Sequence, residues 1–553
     1  MSHAMAFSII CRSSVLLSLL LCTTSWALTP STKTCLHSPQ NLSSIHSLCK
    51  STPYPHLCFD SLKLSISLNI PTNIISFLLH SLQSTLSETA KLSDLFSSVN
   101  TKTTNIIEKQ KGTIQDCKEL HEITHAAVEK SVSKISTSKS SGTSNLVDVR
   151  AYLSAALTNK NTCLEGLDSA SGPSKQALVD SIITTYQHVS NSLSIVSKSR
   201  RGRSKAETIG HHNRSLLEFP KWLSKKDRRI LEDDYEAPTE VVLTVAADGS
   251  GNFTTISEAI DFAPNNSIDS RIFIYISQGV YAENIDIPSY KPNMVLLGDG
   301  SDVTFVTGNR SVGDGWTTFR SATVAVSAEG FLARDITIEN TAGPEKHQAV
   351  ALRINADFTA MYRCTINGYQ DTLYSHSFRQ FYRECDIYGT IDYIFGNAAV
   401  VFQGCNIVSK MPLPGQFTVI TAQSRESLDM ETGMALQNCS ILATEDLYTN
   451  SSRVKSYLGR PWKVYSRTVY IESFIDDFIS PEGWTKWSDD NGLDTLYYGE
   501  YDNNGPGSAT DNRVTWPGYH IMDYHDASNF TVSDFISGQE WLDSTSFPYD
   551  DGV

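Results

Sequence analysis

The chain lacks the marks of most familiar hydrolytic centres. It has no GxSxG elbow, no cysteine set beside a histidine as nucleophile and base, and no glycine-rich phosphate loop. Any reaction must therefore be built from carboxylates and amides. No cluster of exposed carboxylates stands out as a calcium site. Beyond the N-terminal region no run is long and apolar enough to cross a bilayer. The low-hydrophobicity signature of a disordered chain is also missing, since 40% of the residues are hydrophobic.

At 553 residues the chain is too long for one small domain and implies two or more. The net charge of −15 is unevenly spread. Residues 1–231 hold 26 Lys+Arg against 15 Asp+Glu, a net of +11, which leaves 19 against 45, or −26, for residues 232–553. Opposite signs imply halves that attract each other while joined. The acidic half is unsuited to nucleic acid and should adhere weakly to a polyanionic product.

Arg12 followed by the Leu-rich run 15–22 and by Ser25-Trp26-Ala27 reads as a secretory leader over residues 1–27. Its core is too short for a membrane span, so no membrane attachment is expected after cleavage. Of 11 cysteines, Cys11 and Cys22 leave with the leader. The nine that remain are an odd number, so at least one thiol stays free or pairs with another molecule. Eight Asn-x-Ser/Thr sequons fit a secreted glycoprotein, with Asn438 expected to be too buried for use.

Residues 28–198 read as helical. Ile75, Leu78, Leu82 and Leu86 recur at helical steps, as do Ile114, Cys117, Leu120 and Ile123. Two later stripes run through Leu146, Val149, Leu153, Leu157 and through Leu178, Ile182, Tyr186, Val189, Leu193. Ser- and Gly-rich breaks separate them, which describes an up-and-down helical bundle. His121-Glu122-Ile123-Thr124-His125 spells a zincin HExxH, but with no third ligand in view it reads as a solvated helix face rather than a metal site. Residues 199–231 form a basic linker with Arg200-Arg201-Gly202-Arg203, Arg214-Ser215-Leu216-Leu217 and Arg228-Arg229-Ile230-Leu231, open to proteolysis.

Residues 232–553 change to β texture. Ile336-Thr337-Ile338, Cys364-Thr365-Ile366, Cys385-Asp386-Ile387, Cys405-Asn406-Ile407 and Cys439-Ser440-Ile441 recur at spacings of 28, 21, 20 and 34. One return per turn with variable insertions marks a solenoid of short strands, a parallel β-helix, with a sandwich or propeller as the alternative. Within it Asp371 and Asp392 lie among Gly, aromatic and small apolar residues. A carboxylate in such company is costly unless paired, and two of them suggest an acid/base or nucleophile pair; the alternative is that each ties down a turn.

Those two motifs, Gly368-Tyr369-Gln370-Asp371-Thr372-Leu373-Tyr374 and Gly389-Thr390-Ile391-Asp392-Tyr393-Ile394-Phe395-Gly396, closely resemble signatures of the plant pectinesterases. Gly279-Val280-Tyr281-Ala282-Glu283, Gln348-Ala349-Val350-Ala351-Leu352-Arg353 and Leu458-Gly459-Arg460-Pro461-Trp462 match in the same order. Tyr393 stands where phenylalanine is common in that family. Cys49 to Cys58, with Cys117 and Cys163, resembles the pectinesterase-inhibitor domain that precedes many of these enzymes.

The resemblance implies a right-handed parallel β-helix that removes methyl esters from the homogalacturonan of cell-wall pectin, without a cofactor, as a secreted monomer. It implies Asp392 as nucleophile, Asp371 as acid then base, Gln348 and Gln370 as oxyanion donors, and Arg460 lowering the pKa of Asp392. Thr318 and Trp462, with Gln348 and Arg460, would bind substrate, and Glu283 would be structural. Disulfides Cys49–Cys58, Cys117–Cys163 and Cys385–Cys405 follow by the same analogy, with Cys35 left over and Cys364 and Cys439 as buried thiols. The helical domain becomes an inhibitory or folding pro-region, removed by a subtilisin-like protease after Leu231, and proteinaceous inhibitors become possible partners. Paired aspartates also suit a β-helix glycosidase, a lyase remains a variant of that reading, and a pure inhibitor or wall-binding module is the third.

Overall fold

The computed structural model describes residues 39–67, 73–99, 106–137, 143–201, 242–268 and 270–553. The leader, Cys35 and most of the basic linker lie outside the described residues.

Among the described residues, six helices make the N-terminal domain: α1 (Pro39–Cys49), α2 (Pro55–Ser67), α3 (Ile74–Val99), α4 (Thr113–Thr137), α5 (Thr143–Ser169) and α6 (Lys175–Arg201). The last runs three residues into the expected linker. The apolar stripes face inward as their spacing requires: Leu78, Leu82, Val149, Leu153 and Val189 are fully buried. Disulfides Cys49–Cys58 and Cys117–Cys163 tie α1 to α2 and α4 to α5, as expected. The HExxH segment is not a solvated face. His121 is 3% exposed, its Nε2 donates to the Thr89 carbonyl at 3.0 Å, and burial holds its pKa down at about 4. His125 turns its Nδ1 to the Thr89 hydroxyl at 2.8 Å.

From Leu243 on, the chain winds into three sheets of 11, 7 and 8 strands, every named strand pairing being parallel. This is the parallel β-helix. Stacking places like on like. Ile338, Ile366, Ile387, Ile407, Ile441 and Ile475 pair in register up one sheet, and all six are fully buried. Each such side chain contributes roughly 1.5–3 kcal/mol by leaving water. The sequence repeat marks a corner between two sheets. Asp335, Arg363, Glu384, Gly404 and Asn438, each just before a repeat unit, have φ of +55°, +51°, +51°, +65° and +52°. Asn438 is exposed at its corner rather than buried.

The expected Cys385–Cys405 disulfide is not formed. Both are free and buried, with Cys364 and Cys439 in the same column. The Cys385 thiol donates to the Arg383 carbonyl at 3.3 Å and the Cys405 thiol to the Tyr382 carbonyl at 3.5 Å. Residues in register on adjacent turns lie about 4.8 Å apart with parallel side chains. Their sulfurs are instead taken up by backbone groups, the Cys405 Sγ also accepting from the Cys385 amide at 3.5 Å.

The bundle lies against the face of the seven-stranded sheet. Phe319, Ala325, Val350, Tyr374, Phe395, Ala422 and Met430 join the helical core in one apolar cluster. Basic groups of the bundle meet acids of the β-helix, as the charge split implies: Lys160 donates to Glu426 at 2.9 Å, and Lys130 and Arg150 pair with Glu329 and Glu431. Elsewhere on the face the polarity reverses. There Asp116, Glu119, Asp148 and Glu165 of the bundle meet Arg320, Arg353, Arg379 and Lys463.

Candidate active site

Asp371 and Asp392 enter neighbouring strands of that sheet, Leu373–Ser377 and Ile391–Gly396. The register pairs Leu373 with Ile394 and Tyr374 with Phe395. Continued back two residues, it sets Asp371 across from Asp392, about one 4.8 Å ladder spacing apart. The Asp371 amide also donates to the Ile391 carbonyl at 3.0 Å.

Both aspartates have left-handed backbones, with φ of +64° and +52°. Non-glycine residues hold that conformation only where the surroundings impose it. Here the next ladder slips between Ile391 and Ile394, a bulge that takes Asp392 out of the regular register. Gly389 lets the bulge close, because a Cβ there would sit 2.1 Å from Tyr393 Cβ. The Tyr393 ring is fully buried and its hydroxyl meets Ser409 at 3.0 Å, so the departure from phenylalanine is accommodated.

Arg460 follows the strand Ser456–Gly459, and its amide donates to the Thr421 carbonyl at 2.9 Å. Its guanidinium grips Asp392 with both arms, Nε to Oδ1 at 2.8 Å and Nη2 to Oδ2 at 2.5 Å. The expectation that Arg460 lowers the Asp392 pKa holds only in part. Burial raises it, and the hydrogen bonds and charge of Arg460 pull back without fully offsetting that. Asp371 is pushed well above the ordinary range, first by burial and then by the charge of Asp392. The guanidinium thus divides the pair: Asp392 takes the negative charge and Asp371 keeps the proton.

The two carboxyls open into a cavity of about 320 Å³ that also gathers Gln348, Gln370, Thr318, Arg460 and Trp462. All the expected site residues of the β-helix therefore meet in one place. Glu283 does not. It accepts from the Ile256 and Ser257 amides at 2.8 and 3.0 Å, capping the short helix α7 (Ile256–Phe262).

Sequence reading missed part of the lining. Tyr374 and Phe395 stack at 4.1 Å, Phe395 lies 6.1 Å from Trp462, and Trp462 lies 6.3 Å from Trp487 in a near-parallel stack. Tyr374 and Phe395 stand in the quoted motifs, and their shared ladder position was the available signal. Trp487 belongs to no motif. The cavity's roof comes from the bundle: Gln110, Thr113, Asp116, Thr162, Glu165 and Gly166. The Thr162 hydroxyl meets His376 Nε2 at 2.9 Å, and burial holds that imidazole well below its usual pKa.

Comparison with known proteins agrees with this geometry. Residues 242–539 match the family described as Pectinesterase, and residues 43–195 match that described as Plant invertase/pectin methylesterase inhibitor. A probable pectinesterase/pectinesterase inhibitor of Arabidopsis thaliana is 66% identical over 516 residues, 92% of this chain and 94% of its own. A pectinesterase of Citrus sinensis is 43% identical, covering 94% and 96%. Among solved structures, a pectin methylesterase from carrot is 51% identical with a TM-score of 0.57, and the match spans 58% of this chain and 100% of the carrot chain.

Proposed function

The chain belongs to the pectinesterase family, a carboxylic ester hydrolase of pectin with an inhibitor-type domain in front, and from that premise we propose how its own residues act. Asp392 attacks the carbonyl carbon of a galacturonate methyl ester. The tetrahedral oxyanion takes hydrogen bonds from the side-chain amides of Gln348 and Gln370, each such donor being worth on the order of 100-fold in rate. Collapse expels the methoxy group, and Asp371 gives it a proton to release methanol. Asp371, now a carboxylate, draws a proton from water. That water attacks the acyl carbon, which frees Asp392 and leaves the acid product. Arg460 keeps Asp392 charged and aimed, and the Trp462 and Trp487 faces receive sugar rings.

The observation that carries this reading is the unequal pair: Asp392 gripped by Arg460, facing an Asp371 that burial keeps neutral. No step needs a metal or cofactor.

The bundle is an inhibitory pro-region of its own chain in this reading, because α4 and α5 supply the cavity's roof. Secretion, and release by a protease cutting in the basic linker after Leu231, complete the proposal. The test is methanol release from methylated pectin by the intact chain, by the chain cut in the linker, and by the cut chain with Asp392→Asn, with new reducing ends assayed in parallel. The expected result is little methanol before cutting, much after, none with Asp392→Asn, and no reducing ends. Reducing ends without methanol would instead make the pair a glycosidase. Full activity of the intact chain would remove the inhibitory role of the bundle.

A further inference from the structure

The β-helix half carries a net of −26, yet the strip of sheet beside the cavity runs the other way. Paired strands hold Asp286, Ala325, Arg353, Tyr374, Phe395 and Ala422 in one row across the seven-stranded sheet. Arg353 is fully buried in that row, its guanidinium 3.5 Å from the centre of the Phe319 ring, and its Nε has no hydrogen-bond partner. Arg320 lies next to Phe319 in the chain, and Arg310 adds a third cation, stacked 4.5 Å over Trp316. Among the described residues of this half, the acid paired with these cations is Asp286, half-exposed and 3.6 Å from Arg320.

The bundle supplies what is missing. Glu119 of α4 accepts from Arg320 at 2.7 Å, from Arg353 at 3.2 Å and from the Ser327 hydroxyl at 2.9 Å. Asp116, which also lines the cavity, accepts from Arg320 Nε at 2.8 Å and from the Thr317 hydroxyl at 2.5 Å. Guanidinium and hydroxyl donors thus converge on carboxylates that do not belong to the β-helix. When the bundle leaves, Arg353 loses its carboxylate partner and Arg320 is left with the half-exposed Asp286. Planar forks of this kind match carboxylates. Arg353 lies one ladder spacing, about 4.8 Å, from the Tyr374 strand that Asp371 opens.

We propose that Arg320 and Arg353, with Ser327 and Thr317, form a subsite for a free galacturonate carboxylate of the pectin chain, and that Glu119 and Asp116 occupy it as substrate mimics until the bundle is released. The inference rests on the pectinesterase reading. Each turnover turns a neutral ester into a carboxylate. A subsite that holds this product beside the cleavage position favours esters that border demethylated units.

The test uses the chain cut in the linker and its β-helix part freed of the bundle; the carrot relative corresponds to this part alone, so it stands as a fold by itself. A short, fully de-esterified oligogalacturonate is titrated by calorimetry. Arg320→Gln is expected to weaken its binding on the order of 10-fold or more, the loss of a charge-assisted fork, and Arg320→Lys by less. The melting temperature of each variant shows that it is folded. The same oligomer, added to the cut chain with the bundle still docked, is expected to displace the bundle on a sizing column. Binding that Arg320→Gln leaves unchanged in a folded protein, or oligomer and bundle bound together without competition, overturns the proposal. Methanol release by the cut wild-type chain is measured alongside. If it occurs while Arg320→Gln has no effect on binding, only the subsite falls; if it does not occur, the pectinesterase reading falls with it.

Discussion

Replacing Arg460 with glutamine tests the division of labour between the two aspartates. In the wild type the fork holds both Asp392 oxygens at 2.8 and 2.5 Å, with the arginine side chain 15% exposed and the aspartate 6%. Breaking one side of a buried pair typically costs about 3–5 kcal/mol, and the partial exposure of Arg460 argues for the lower end. If the charged form of Asp392 bears that cost, about 3 kcal/mol at 1.36 kcal/mol per pH unit moves its titration up by about two pH units. Burial, the larger influence on Asp392, acts in the same direction once its opponent is gone. The assay is kcat/KM for methanol release by the cut chain from about pH 4 to 9. The expected profile loses on the order of 100-fold near pH 6, regains much of it as pH rises, and has its acidic limb displaced upward. The limbs belong to the coupled pair rather than to either carboxyl alone. Arg460→Lys keeps the charge and loses the fork, so it should restore the limb and not the full rate. A uniform loss at every pH with the limb unmoved would refute the electrostatic role and leave Arg460 only as an aiming device.

Three more outcomes follow from the same geometry. Asp371 has its folded-state pKa raised well above 3.8, so the stability tied to its protonated form is present at low pH and lost as pH rises through the raised value. Asp371→Asn should therefore abolish methanol release yet raise the melting temperature, by an amount that is negligible near pH 3 and grows with pH. Gly389→Ala puts a Cβ within 2.1 Å of Tyr393 Cβ; it should cost about 1–3 kcal/mol in denaturant unfolding and lower kcat by displacing Asp392. Docking of the cut bundle should depend on pH with two opposed signs. Burial raises Asp116 to about 6, so docking takes up a proton there and weakens as pH rises through that value. Burial also acts to raise Glu119, but Arg353 and Arg320 outweigh it and lower its pKa, so its contribution is lost as pH falls below 4.5. Co-elution of bundle and β-helix should peak between those limits and decline above pH 6.

Much of this was legible in the chain because a parallel stack writes its geometry as a repeat. Ile366 over Ile387 over Ile407 is a column in the structure and a period in the sequence. The left-handed corner before each repeat unit was not legible, since Arg363 and Glu384 have no local preference for that conformation; the stack imposes it. The cysteine column misled for a related reason. Proximity by one turn looked like an opportunity for a disulfide, whereas in the stack each thiol is taken up by hydrogen bonds to backbone groups. Asp371, Asp392, Gln348, Gln370 and Arg460 could be found because their neighbours carry recognisable motifs. Trp487 and the roof from α4 and α5 could not, because what brings them to the cavity is docking between distant segments. Net charge foretold attraction between the halves and missed that Glu119 and Arg353 would reverse its sign beside the site.

The bundle's position also bears on how the β-helix comes into being. Helices that contact their sequence neighbours form quickly, whereas each parallel strand must wait for a partner a full turn away, which makes such stacks slow to fold and exposes their edges meanwhile. In this chain the fast-forming part precedes the slow one, and its docking surface is complementary to the sheet that carries Asp371 and Asp392. A wall already in place offers each new turn a surface to settle against and hides apolar residues such as Tyr374 and Phe395 that would otherwise face water. If the chain is cut in the linker as proposed, the timing of the cut matters as well as its place: before the stack is complete it would remove a template, and afterwards only a cover.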